Sequence, residues 1–114
     1  MAMKQAVRYC RRQYRTPTKY RLEYISTFHA DIVAVSQFLD EYPTKAARLF
    51  AKIDRLVKAL AEMPELYPIY ADMPSYRFIT VEDYLVFYNV NKQERVVELR
   101  RLLYGRMDIP SVLN

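Results

Sequence analysis

Two periods of apolar and polar positions divide this chain. Over residues 20–26 the period is two: Tyr20, Leu22, Tyr24 and Ser26 fall on one side, Arg21, Glu23 and Ile25 on the other, which predicts a strand. The period then lengthens. Ile32, Val35, Leu39 and Tyr42 recur at three- and four-residue spacing and predict a helix over 29–42, with Thr27 as its N-cap and Asp31 in its first turn. Pro43 ends that helix and can open the next, because a first helical position needs no N–H. Over 44–63, Ala46, Leu49, Phe50, Ile53, Leu56, Val57, Leu60 and Met63 form one apolar stripe. Lys45, Arg48, Lys52, Arg55, Lys58 and Glu62 line the other side, and Pro64 stops the helix.

A loop with two prolines, 65–74, leads back to period-two and continuous apolar runs. Strands are predicted over 75–81, 84–90 and 95–104, separated by short turns at Glu82-Asp83 and 91–94. The middle run, YLVFYNV, is nearly all apolar, as a central strand requires. Gly105, the only glycine, stands where the last strand ends and predicts a sharp backbone change there. Strand, two helices and three strands make a two-layer α+β fold. An antiparallel helical hairpin packs on one face of a small, mainly antiparallel sheet of about four strands, leaving the other face open.

Composition narrows the class. A chain of 114 residues with 52% hydrophobic and 27% charged residues is globular in balance and long enough to bury a core. Residues 20–114 read as a single domain. Residues 1–19 read as a basic tail holding Lys4, Arg8, Arg11, Arg12, Arg15 and Lys19 without an acid, an extension that the fold does not need or an arm for nucleic acid or a partner. The net charge of +5 suggests an anionic partner without naming one. One cysteine, Cys10, and one histidine, His29, supply neither an internal disulfide nor a metal-ligand set, and no cofactor is implied. No apolar run approaches the roughly 20 residues that cross a membrane, and no secretory signal is visible, so a cytoplasmic protein is expected.

Candidate chemistry is sparse. There is no glycine-rich phosphate loop, and His29 at a helix start is the only imidazole. The cations on the strands remain: Arg77 in the first hairpin strand, Arg100 and Arg101 on opposite faces of the last, and Arg106 after Gly105. Glu98 shares a face with Arg100 and can pair with it there. On an open sheet face, arginines grip phosphate or carboxylate.

The stretch YRFITVEDYLVFYNVNKQERVVELRRLLYGRMDIPSVL resembles the C-terminal half of toxins of the RelE/ParE superfamily. The matching pieces are Tyr76-Arg77, then Asp83-Tyr84-Leu85-Val86-Phe87-Tyr88, then the run into Tyr104-Gly105-Arg106-Met107-Asp108. That last piece is similar to a His-Gly-Arg-Arg-Asp signature, with Tyr104 in place of the histidine and Met107 in place of the second arginine. The resemblance covers about residues 20–113. It implies the toxin of a bacterial type II toxin–antitoxin module, a plasmid-stabilising and growth-arresting system, neutralised by a cognate antitoxin.

Two activities divide that superfamily. RelE-like members cut mRNA on the ribosome, and ParE-like members poison DNA gyrase. The ribonuclease branch carries cations where this chain has Leu85 and Ile79, and a catalytic tyrosine near the place of Val112. Cleaving RNA needs a base for the 2′-OH proton and cations for the developing phosphorane charge, and leucine and isoleucine supply neither. The ParE-like reading is therefore preferred. The alternatives are the ribosome-dependent mRNA endonuclease, with Arg77, Tyr88, Arg100, Tyr104 and Arg106 as its candidate catalytic set, and a non-toxic binding domain that keeps the fold. Target or partner contact is expected at Arg77, Arg100, Tyr104, Arg106 and Asp108. Asp108 is expected to orient the Arg106 guanidinium, Ile109, Val112 and Leu113 to pack back on the sheet or into an antitoxin groove, and Pro110 to limit any helix to a short turn. An acidic antitoxin segment that folds on binding is expected to cover the open sheet face and the charged helix faces.

Overall fold

The computed structural model describes residues 19–113, so the expected tail lies outside the described residues except for Lys19. Strand β1 (Arg21–Tyr24) leads into helix α1 (Ser26–Phe38) and helix α2 (Pro43–Ala59). Strands β2 (Arg77–Val81), β3 (Tyr84–Asn91) and β4 (Val96–Tyr104) follow, and a five-residue helix, α3 (Ile109–Leu113), closes the chain. The sheet order is β1-β4-β3-β2. Both hairpins are antiparallel, while β1 runs parallel to β4, with Leu22 opposite Val97 and Tyr24 opposite Leu99.

Helix α1 is shorter than its apolar spacing predicts and is not capped by Thr27. It starts at Ser26 after an extended Ile25 that makes no side-chain cap, and the Thr27 hydroxyl instead donates to the Arg100 carbonyl at 2.9 Å. It stops at Phe38, with Leu39 as its C-cap, and Pro43 further on disfavours helical backbone in the residue before it. Tyr42 accordingly adopts φ −130°, ψ 64°, and the chain between turns back through the Tyr42 N–H to the Leu39 carbonyl. Pro43 then opens α2, as the sequence predicts. Near Pro64 the last turn tightens through Leu60 N–H to Val57 and Ala61 N–H to Lys58. Met63, expected on the stripe, thus lies beyond the helix and is exposed.

Leu49, Ile53 and Val57 form the buried face of α2, and Leu60 at its C-cap continues it. With Phe28, Val35 and Leu39 they meet Ile79, Val81, Val86, Tyr88, Val97, Leu99 and Leu102 from the sheet. This is the main core. Full burial of each such aliphatic side chain stabilises by about 1.5–3 kcal/mol.

The opposite face of the sheet is not open along its length. Phe87 and Leu103 are buried there beneath Ile109 and Leu113 of α3 and beneath Tyr70, Met73 and Tyr76 of the loop before β2. Tyr70 stands edge-on to both Phe78 and Phe87, with ring centroids 5.7 and 5.2 Å apart. The apolar run of β3 explains the cover. Leu85 and Phe87 alternate with Val86 and Tyr88, so both faces of this strand are apolar and both need burial. The α3 packing realises the expectation for Ile109 and Leu113. What remains polar on this face is the end carrying Arg21, Glu23, Asn89, Glu98 and Arg100.

A β-bulge corrects the expectation that Arg100 and Arg101 face opposite ways. The β3–β4 register steps from Phe87↔Arg101 to Tyr88↔Leu99, so Arg100 has no residue opposite it. Arg101 therefore shares the face of Phe87, and Arg100 reaches Asn89 on that same face.

Candidate functional site

Arg77 pairs in register with Tyr88 and so lies on the helix side of the sheet. Its guanidinium donates to the Tyr67 carbonyl at 2.7 Å and meets the Glu65 carboxylate at 3.6 Å, which holds the loop against β2. Lys92 also reaches Glu65, at 2.9 Å. That hydrogen bond holds the Glu65 carboxyl below its usual range, with the nearby lysine and Arg77 charges acting in the same direction. A cleft of about 510 Å³ opens beside this trio.

Tyr88 is fully buried, and its hydroxyl donates to the Pro64 carbonyl at 2.9 Å. Burial pushes its pKa up to about 12, partly offset by a backbone hydrogen bond from Tyr67 and the Arg77 charge. A substrate cannot reach a phenol held there.

Arg100 lies on the other face. Its Nε donates to Asn89 Oδ1 at 2.7 Å and its Nη2 meets Glu98 at 3.1 Å, the pairing that the sequence suggests. Tyr104 ends β4, half-exposed, with its ring 5.6 Å from that of Tyr84. Burial first, then the neighbouring Tyr104 and Asp83, raise the Tyr84 pKa. Arg106 is exposed and has no hydrogen-bond or ionic partner among the described residues. Asp108 does not orient it. The Asp108 carboxylate accepts from the Ser111 hydroxyl at 2.7 Å and so serves the start of α3.

The chain turns at Gly105 as expected, with the Met107 N–H donating to the Tyr104 carbonyl at 3.0 Å, but not through a conformation reserved for glycine. The Gly105 φ is not positive, so it makes no turn forbidden to other residues. It is needed for a close approach: its N–H donates to the Asp83 carbonyl at 2.8 Å, and a Cβ there would stand 3.2 Å from the same oxygen.

The sequence candidates are thus divided among four places: behind β2, within the core, at the polar end of the open face, and after β4. They do not converge on one phosphate-sized volume. A feature that sequence reasoning missed lies between α1 and the end of β4. Arg101 makes a two-pronged contact with Asp31, Nε to Oδ2 at 2.7 Å and Nη2 to Oδ1 at 3.1 Å, and the Leu102 N–H donates to the same carboxylate at 2.9 Å. Above this pair runs a groove of about 290 Å³, walled by Ala34, Val35, Phe38, Tyr84, Tyr104 and Met107. Phe38 is 76% exposed, and Met107 and Tyr104 are 43% and 39% exposed. The one sequence signal for the groove was Phe38, an aromatic that falls off the Ile32, Val35, Leu39 stripe. Among the described residues, no three His, Cys, Asp or Glu side chains stand together as metal ligands, and no helix is long and apolar enough to cross a membrane.

Comparison with known proteins gives these features a setting. No curated protein matches the chain in sequence. Among solved structures, a chain of the chromosomal ParDE toxin–antitoxin system from P. aeruginosa superposes with a TM-score of 0.65 at 18% identity, over 77% of this chain and 98% of that one. A chain of the RelBE2 toxin–antitoxin complex from Mycobacterium tuberculosis superposes with a TM-score of 0.56 at 15% identity, over 75% of this chain and 98% of that one. At such identities the likeness establishes the α+β fold. The profile of the family described as the ParE toxin of the type II toxin–antitoxin system parDE matches residues 22–109, from β1 to the first residue of α3. The chain belongs to the ParE toxin family of type II toxin–antitoxin systems.

Proposed function

We propose that this toxin arrests growth by binding DNA gyrase and not by cutting RNA. The observation that carries the reading is the scatter of the candidate residues. Arg77 is engaged by Tyr67 and Glu65 on the helix side of the sheet, while Arg100 is engaged by Asn89 and Glu98 on the other side. Tyr88 is inside the core. A transesterification at RNA needs a base and cations within hydrogen-bond reach of one phosphate. Leu85 and Ile79 stand where the ribonuclease branch carries cations, and Ile79 is buried.

The cognate antitoxin is the second partner. The groove above Asp31 and Arg101 offers it exposed apolar surface, and a segment that folds as it binds can cover Phe38, Tyr104 and Met107. The purified protein added to programmed ribosomes is expected to give no codon-positioned mRNA products. Products that appear, and vanish with Arg77→Ala, would replace this reading with the ribosome-dependent endonuclease.

A further inference from the structure

We propose that the cleft beside Glu65, Arg77 and Lys92 holds an extended acidic segment of a partner protein, which adds to a free stretch of β3 edge and sets a carboxylate on Lys92. Strand β3 outruns one of its neighbours. Strand β4 pairs with it from Tyr84 to Asn91, but β2 accompanies it only from Tyr84 to Tyr88. Backbone groups turn to alternate sides along a strand. The Phe78 N–H donates outward to the Pro68 carbonyl at 3.1 Å, so the ladder bonds of β2 run from Arg77, Ile79 and Val81 to Tyr88, Val86 and Tyr84. Two residues beyond Tyr88, Val90 therefore turns its N–H and C=O to the β2 side as well. Ser75, which would face Val90 if β2 continued, is part of a turn, and its carbonyl accepts from Asn89 Nδ2 at 2.7 Å. Val90 is half-buried, and its N–H and C=O have no hydrogen-bond partner among the described residues.

The charges around this edge are unbalanced. Val90 lines the cleft of about 510 Å³ together with Ile69, Pro74 and the charged trio. Two cations share one acid there: Glu65 Oε2 takes both Lys92 Nζ at 2.9 Å and Arg77 Nη2 at 3.6 Å. The Lys92 side chain is 66% exposed, and an ammonium has three N–H donors, of which Glu65 uses one. The cleft thus offers a backbone donor, a backbone acceptor and a surplus positive charge, over an apolar wall of Ile69 and Pro74.

An extended acidic peptide satisfies all three. Its own C=O and N–H meet those of Val90, as in the addition of a strand to a sheet edge, and an acidic side chain beside them reaches Lys92. A phosphodiester matches the charge but has no donor for the Val90 carbonyl. An apolar strand pairs with Val90 but leaves the surplus charge unmatched. The cleft is separate from the groove above Asp31 and Arg101. Tyr84 lines that groove and Val90 lines the cleft, and along β3 they stand about 20 Å apart at about 3.4 Å per residue. Both surfaces can be covered at once, and the cleft does not depend on which target the toxin arrests.

The test is an NMR titration of the isotope-labelled full chain with an end-blocked hexapeptide of alternating valine and glutamate, read at the Val90 amide. Comparison peptides are the same sequence with alternate amides N-methylated, which cannot pair as a strand, and an alternating valine–lysine hexapeptide. Comparison proteins are K92E and K92R, with K92Q in place of K92E if the charge reversal alters the thermal transition. The Val90 signal is expected to saturate with a Kd below about 1 mM, and its amide hydrogen exchange to slow in the complex. Binding is expected to weaken about tenfold or more in K92E, with the N-methylated peptide and with the lysine peptide, and to be kept in K92R. Three results overturn the proposal: a Val90 signal that does not move with the glutamate peptide, equal binding by K92E, or equal binding of the N-methylated peptide.

Discussion

Asp31 carries more of the structure than its place on an exposed helix suggests. One carboxylate accepts from two guanidinium nitrogens and from a backbone N–H, and so ties α1 to β4 where the bulge has displaced the ladder. Charged hydrogen bonds in a half-buried setting contribute more than surface pairs, so Asp31→Ala is expected to lower stability by about 2–3 kcal/mol in a urea titration. Arg101→Ala is expected to cost a similar amount, and the double variant clearly less than the sum of the two. An additive double variant would mean that the two groups act separately. This pair was not legible in the sequence. Strict alternation sends Arg101 away from Arg100, and only the extra residue of the bulge brings it round.

Tyr88 gives a pH dependence at the same scale. Its folded pKa of about 12 lies above the usual 10, so the unfolded chain releases this proton first as pH rises. Its stabilising contribution is complete below about pH 10 and is lost as pH climbs through about 12, a change on the order of 2 kcal/mol. Tyr24, Tyr70 and Tyr84 are raised too, each chiefly by burial. Tyr88→Phe is expected to flatten the alkaline fall in melting temperature between pH 10 and 12 without abolishing it. An unchanged alkaline slope would contradict the assignment.

Elements with one strong signal were the legible ones. The stripe of α2, the three C-terminal strands and the role of Pro43 follow from spacing and backbone chemistry that no tertiary contact overrides. The end of α1 was not legible from periodicity, because Leu39 and Tyr42 continue the apolar spacing while Pro43 forbids helical backbone at Tyr42. The covered half of the sheet was hidden as well. The continuous apolar run of β3 announced two buried faces, but the layer over Phe87 comes from a proline-bearing loop and a five-residue helix that carry no periodic signal of their own. That layer makes a firm prediction about α3. Leu113 is 8% exposed and packs with Phe87 and Leu103. Leu113→Asp, a charge placed in an apolar site, is expected to cost about 2–4 kcal/mol by denaturant titration. A variant as stable as the parent would show that α3 is dispensable to the fold.

At the scale of the whole molecule, the charge, the groove and the scattered arginines separate what the family resemblance had joined. The net charge does not mark the sheet face as a phosphate site, since that face balances Arg21 and Arg100 with Glu23 and Glu98. Arg106 is the candidate left open to a target, exposed and without a partner among the described residues. Arg106→Ala is expected to abolish growth arrest on induced expression while shifting stability by no more than about 0.5 kcal/mol. Full toxicity of that variant would remove the residue from the target contact.

Gyrase binding is read most directly in the supercoiling of relaxed plasmid by purified gyrase, with increasing amounts of the purified toxin. Loss of supercoiling at near-stoichiometric toxin, restored by prior addition of the cognate antitoxin, is the predicted result. Undiminished supercoiling by a toxin that arrests growth in cells would contradict it.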